Sequence, residues 1–309
     1  MSRLARSLAI AGLLLSVATG RAQADTDFNV TIEDPGGAFS VFYEQISLHT
    51  IAAGEAWDSV LGGGGSLEVL VHLADDVPTA AGGSTRTAFI RNNGFLDIYE
   101  QGAANEIRTG SDPFELEPDI QLFVGTGFLT ADLWFDPNPT ERLSPVPLDK
   151  VDAFSVFLHE LGHAFAFNGF RSPTDGSLPG SFASTFDEFV VFDGANLFFT
   201  GRQAVDLYGG PVPLTFGNYQ HFGNRDPRPG SDLVPDLMNG VTFERGRRYD
   251  ISALDLALVA DVGLPVTIPI PEPATWALCG AGLVLMCARQ AARRRRAACR
   301  EAGAAPVAA

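Results

Sequence analysis

Cysteine is nearly absent. The 309-residue chain has three, Cys279, Cys287 and Cys299, all close to the C-terminus. A disulfide framework is therefore excluded for everything before them, and that part must stand on its hydrophobic core. Between Asp25 and Ile270 there are roughly 245 residues, enough for such a core. Basic charge is scarce in the same stretch. It holds 12 of the 21 Lys and Arg but 35 of the 37 Asp and Glu, a net charge near −23. Nucleic acid and anionic membrane surfaces are thereby excluded as partners. The carboxylate surplus favours solubility and leaves Ca2+ open as a bound cation, although no D-x-[DN]-x-[DN]-G loop is present. Histidine is rare too: five in all.

The two ends read as addresses. Arg3 and Arg6 precede an apolar run from Leu8 to Val17, and Ala22-Gln23-Ala24 supplies small residues for cleavage. Residues 1–24 thus form a secretory signal peptide. At the other end Pro271-Glu272-Pro273 is followed by an apolar segment, 274–288, and then by Arg289 and Arg293-Arg294-Arg295-Arg296. Fifteen apolar residues are marginal for a transmembrane helix across about 30 Å of hydrocarbon, with the arginines on the cytoplasmic side. The order of these parts resembles the PEP-CTERM sorting signal of Gram-negative bacteria. The resemblance covers 266–309 with its linker. It implies an exosortase-type partner and delivery to the cell surface, exopolysaccharide matrix or extracellular space, with membrane contact only through the tail.

Between the ends the pattern is α+β. Phe28, Val30 and Ile32 alternate as in a strand, and residues 38–61 read as a long amphipathic helix. His49 falls on that helix and is a structural histidine. Ser66 to Leu73 reads as a strand with His72 on its surface side, and Gly82-Gly83 as a turn. Strands are predicted at Thr85–Arg91, Phe95–Tyr99, Ile120–Val124 and Phe128–Phe135. Asp152 is a helix N-cap, Gly169 a C-terminal stop, and 171–220 mostly loop. Ser252-Ala253-Leu254-Asp255 is a capping box that opens a last helix.

The chemistry concentrates in His159-Glu160-Leu161-Gly162-His163. On a helix, residues four apart share a face, so two imidazoles can bind one Zn2+ at about 2.0–2.1 Å. Glu160 is then free to act as a general base. A catalytic zinc site usually has three protein ligands and a water. His221, the only histidine downstream, is one candidate for the third; Glu188, 25 residues past His163, is the other.

Met238, in Leu237-Met238-Asn239, bears on the choice. His-Glu-x-x-His, a later His, a methionine and a C-terminal helix occur in the order that resembles the metzincin clan of zinc endopeptidases, over residues 38–265. The 58-residue spacing from His163 to His221 and the sequence His-Ala-Phe-Ala-Phe are similar to its leishmanolysin-like branch. The short H-E-x-x-H-x-x-G-x-x-H continuation is not kept: Ala166 stands at the glycine position and Gly169 at the third histidine. The resemblance implies a catalytic domain over 25–265 with a cleft between about 25–168 and 169–265. It also implies His159, His163 and His221 as zinc ligands, Glu160 as base, Met238 as an apolar floor, and a protein or peptide substrate added to a sheet edge near 120–125. The other readings are a non-catalytic zinc-containing surface or matrix protein, and a zinc hydrolase that uses Glu188.

Overall fold

The computed structural model describes residues 26–267. The signal segment 1–24 and the tail with its apolar stretch 274–288 lie outside them. Among the described residues no helix is long and apolar enough to cross a membrane.

The architecture is mixed α and β. In chain order the elements are β1 (Thr26–Glu33), α1 (Tyr43–Asp58), β2 (Gly65–Ala74), β3 (Ala80–Ser84), β4 (Thr87–Asn92), β5 (Asp97–Gln101), α2 (Gly102–Thr109), β6 (Ile120–Gly125), α3 (Thr126–Ala131), β7 (Leu133–Trp134), β8 (Val151–Asp152) and α4 (Ala153–Phe165). The remainder has shorter pieces: β9 (Phe182–Ser184), β10 (Val190–Phe192), β11 (Leu197–Phe199), α5 (Arg202–Tyr208), β12 (Val212–Pro213) and α6 (Ala253–Asp261).

The main sheet has the order β1-β2-β6-β3, parallel except for β3, which runs antiparallel to β6. Alternation in β2 buries Leu67, Val69, Val71 and Leu73, as a half-covered strand requires. Helices α1 and α4 pack together, and the Trp57 indole N–H of α1 donates to the Leu158 carbonyl of α4 at 2.8 Å. All 13 residues of α4 are buried. A helix apolar on every side belongs inside a core, and His159, Glu160 and His163 are carried there with it.

The structure corrects several expectations. Gly82 and Gly83 are not a turn but the middle of β3. A Cβ on Gly82 would lie 2.6 Å from Leu122 Cδ2 and 2.8 Å from Glu160 Cβ. The glycine is there because the strand lies against α4, a spacing no local signal encodes. Ile120–Gly125 is not a sheet edge: β6 is enclosed between β2 and β3, and the edges are β3 and β1. Phe128–Phe135 splits into α3 and the two-residue β7, a run too short for its period to separate helix from strand. The stretch 171–220, expected to be mostly loop, contains the helix α5. Asp152 caps α4 as expected, its carboxylate accepting from Ser155 N at 3.2 Å and Ser155 Oγ at 2.7 Å. Gly169 is not the helix stop: α4 ends at Phe165 and Ala166 is its C-cap, with φ −146°, so the turn after it needs no left-handed residue. His49 is buried, with Nδ1 on the Gln45 carbonyl, whereas His72 is no free surface residue but stacks on Phe123 at 4.6 Å.

A candidate metal centre

Helix geometry places His159 and His163 on one face of α4, one turn apart. Each ring is fixed from behind. His159 Nδ1 lies 2.7 Å from the Leu237 carbonyl, and His163 Nδ1 lies 2.7 Å from the Phe167 carbonyl. A carbonyl only accepts, so each Nδ1 carries the proton and each Nε2 presents a bare lone pair.

His221 arrives from a different part of the chain, and its backbone is held on both sides. Gln220 Nε2 donates to Asn168 Oδ1 at 2.6 Å and to the Gly169 carbonyl at 3.0 Å, tying the segment to the end of α4. Phe222 N donates to the Met238 carbonyl at 2.8 Å, and Gly240 N to Phe222 O at 3.2 Å. His221 Nδ1 faces the backbone of Asn218 without a well-formed hydrogen bond.

The three Nε2 atoms converge, 3.1 Å between His159 and His221, 3.2 Å between His159 and His163, and 3.0 Å between His163 and His221. His159 and His163 both present bare lone pairs, so their contact repels unless a cation lies between them or His221 shares an Nε2 proton with them. A triangle this small is within bonding reach of one ion about 2.0–2.1 Å from each nitrogen. The donor set therefore fits a metal ion. Burial pushes the His163 imidazole down to about 4. Burial and the neighbouring His163 push His159 down to about 3. His221 is lowered for the same reasons. Rings that resist protonation are competent ligands over a wide pH range.

Glu160 borders the same cavity, which holds about 770 Å3. Its carboxyl is raised to about 8 by burial, with the Gly82 backbone acting in the opposite direction. Met238 is fully buried under the helix. A Cβ on Gly162 would lie 2.6 Å from Met238 Sδ, so the glycine between His159 and His163 makes room for the thioether. The segment 237–240 thus has three tasks: Leu237 O orients His159, Met238 fills the space below Gly162, and Met238 O with Gly240 N holds Phe222, next to His221.

The competing ligand, Glu188, is not brought to this cluster. It forms an ion pair with Arg91 and lies 3.4 Å from Asn93 Nδ2. Sequence reasoning missed the other wall of the cavity, Ala80, Ala81 and Gly82 of β3, because small residues carry no strand signal. It also missed Phe243, whose ring meets His159 edge-on at 5.1 Å. The cavity is walled by β3 and α4 on one side and by segments within 218–245 on the other. Neither a family model nor a curated protein matches the chain, so the reading of this centre rests on its own geometry.

Proposed function

We propose that the chain is an exported, zinc-dependent endopeptidase of metzincin type. The observation that carries this is the convergence of three Nε2 atoms within 3.0–3.2 Å beside a glutamate that makes no bond to them and opens on a cavity. His159, His163 and His221 hold Zn2+. When bound, zinc polarises the scissile carbonyl and brings the pKa of its water toward about 7. Glu160 accepts the proton of the attacking water and passes it to the leaving amine. A positive ion beside Glu160 favours its charged form, the form a base requires. The free side of β3 runs along the cavity, and an extended substrate is held there by main-chain hydrogen bonds as an added strand. That edge replaces the 120–125 edge expected from sequence. Met238 supports the ligands from below and is not itself a ligand. The two terminal segments direct export and, through an exosortase-type partner, delivery to the surface or matrix of a Gram-negative bacterium.

The test measures zinc content of the purified chain and its hydrolysis of an unfolded protein, with and without chelator. One zinc per chain and chelator-sensitive cleavage are expected. One zinc with no cleavage of any unfolded substrate would favour a non-catalytic surface protein, and a folded chain without zinc would overturn the reading.

A further inference from the structure

Far from the histidines in sequence, four carboxylates meet. Oxygens of Glu68, Asp112 and Asp119 lie within 4.8 Å of one another. Glu106 joins them from α2. It is 3% exposed, its Oε1 accepts from Ser66 N at 2.8 Å, and its Oε2 is buried with no hydrogen-bond partner. The carboxyl groups around it are those of Asp112, Asp119 and Glu68. Among the described residues, no ion pair involves any of the four. A buried carboxylate oxygen that lacks a donor and faces only negative groups calls for a cation or a proton.

We propose that Glu68, Glu106, Asp112 and Asp119 form a Ca2+ site. It is independent of the histidine triad. Calcium takes six to eight oxygens at about 2.3–2.6 Å, so oxygens on one ion lie no farther apart than about 4.6–5.2 Å, and the oxygens of Glu68, Asp112 and Asp119 are within that reach. Four carboxylates offer up to eight oxygens, and exposed Glu68 leaves a way in. Mg2+ fits less well, because it keeps most of its waters in a strict octahedron. Parts of the cage are already held in place: Glu68 N donates to Asp119 Oδ2 at 2.8 Å, and Phe114 N to Asp112 Oδ1 at 2.6 Å. The ion ties β2, α2 and the segment 110–119 together. Without it, burial and the neighbouring Glu106 hold the Asp119 carboxyl up at about 7, and protons relieve the repulsion instead.

The experiment titrates CaCl2 into the zinc-saturated full chain above pH 7 and follows heat, released protons and the melting temperature. One Ca2+ per chain is expected, with Kd of roughly 10⁻⁴ to 10⁻³ M or tighter, as for extracellular sites, together with proton release and a rising melting temperature. Glu106→Gln with Asp119→Asn should weaken Ca2+ binding by about tenfold or more and remove the calcium dependence of melting. Asp112→Asn, in a loop, gives a second variant should that pair fail to fold, with the same direction expected. Absence of binding at millimolar Ca2+, or equal binding by wild type and a folded variant, overturns the proposal. So does a melting temperature that follows pH but ignores Ca2+, since the cluster then holds protons only.

Discussion

Two places in this molecule crowd like groups together away from water. One is the imidazole triad; the other is the carboxylate cluster of Glu68, Glu106, Asp112 and Asp119. The physical problem is shared and the solutions are opposite. An imidazole sheds charge by losing a proton, so burial lowers His159 and His163 to about 3 and about 4 and leaves lone pairs facing one another. A carboxyl sheds charge by keeping a proton, so burial raises Asp119 to about 7. Their supports differ accordingly. Carbonyls of Leu237 and Phe167 hold the imidazoles by their N–H groups, whereas backbone N–H groups of Ser66 and Glu68 hold the carboxylates by their oxygens. Nitrogen donors suit a borderline transition metal and oxygen donors a hard cation. The triad alone has a glutamate, Glu160, beside it and a cavity of about 770 Å3 in front.

The largest expected contrast is in activity. Glu160→Gln should lower hydrolysis by roughly 10²–10⁴-fold with zinc retained, whereas Asp119→Asn should leave turnover on zinc-saturated protein within about twofold, since it lies outside the cavity. Full activity of Glu160→Gln would remove Glu160 from the reaction. Zinc content gives the next contrast: His221→Ala should fall well below one zinc per chain, and Glu188→Ala should keep it, because Glu188 pairs with Arg91 instead. The reverse result would make Glu188 the ligand.

Met238→Ala should cost about 2–5 kcal/mol by denaturant unfolding, because a fully buried side chain leaves a void beneath Gly162. A loss under about 1 kcal/mol would mean the segment relaxes into that space.

The smallest effect is in pH dependence, and it separates the clusters by sign. In zinc-free protein the histidines have folded pKa values below 6.5, so the unfolded chain binds more protons and stability falls as pH drops from about 6.5 toward 4. Asp119 has its folded value raised from 3.8 to about 7, so the native chain binds more protons and gains stability as pH drops through that window. Each contributes up to about 1.4 kcal/mol per pH unit with opposite sign. Asp119→Asn should therefore steepen the acid loss in calcium-free buffer; an unchanged slope would show that Asp119 titrates normally.

Much of the fold followed from local pattern. Alternation placed β1 and β2, the 3.6-residue period placed α1, and the Asp152 and Ser252 caps fixed the starts of α4 and α6. What escaped was built from small residues, like β3, or from runs too short to show a period, like α3. In the site, His159, Glu160 and His163 were legible because their relation lies within one helix. His221 was a choice between two residues until the backbone brought it within 3.1 Å of His159 Nε2.

By itself the sequence determined the two histidines and their helical spacing, the glutamate between them and the absence of cysteine from residues 26–267, because these depend on residue identity and on contacts within a few positions. Only the tertiary structure decided which distant residue completes the triad, why Gly82 and Gly162 are glycines, which strand lines the cavity, and that four acids up to 51 residues apart share one pocket of charge. Those facts arise from close approach between segments far apart in the chain, and no local propensity records them.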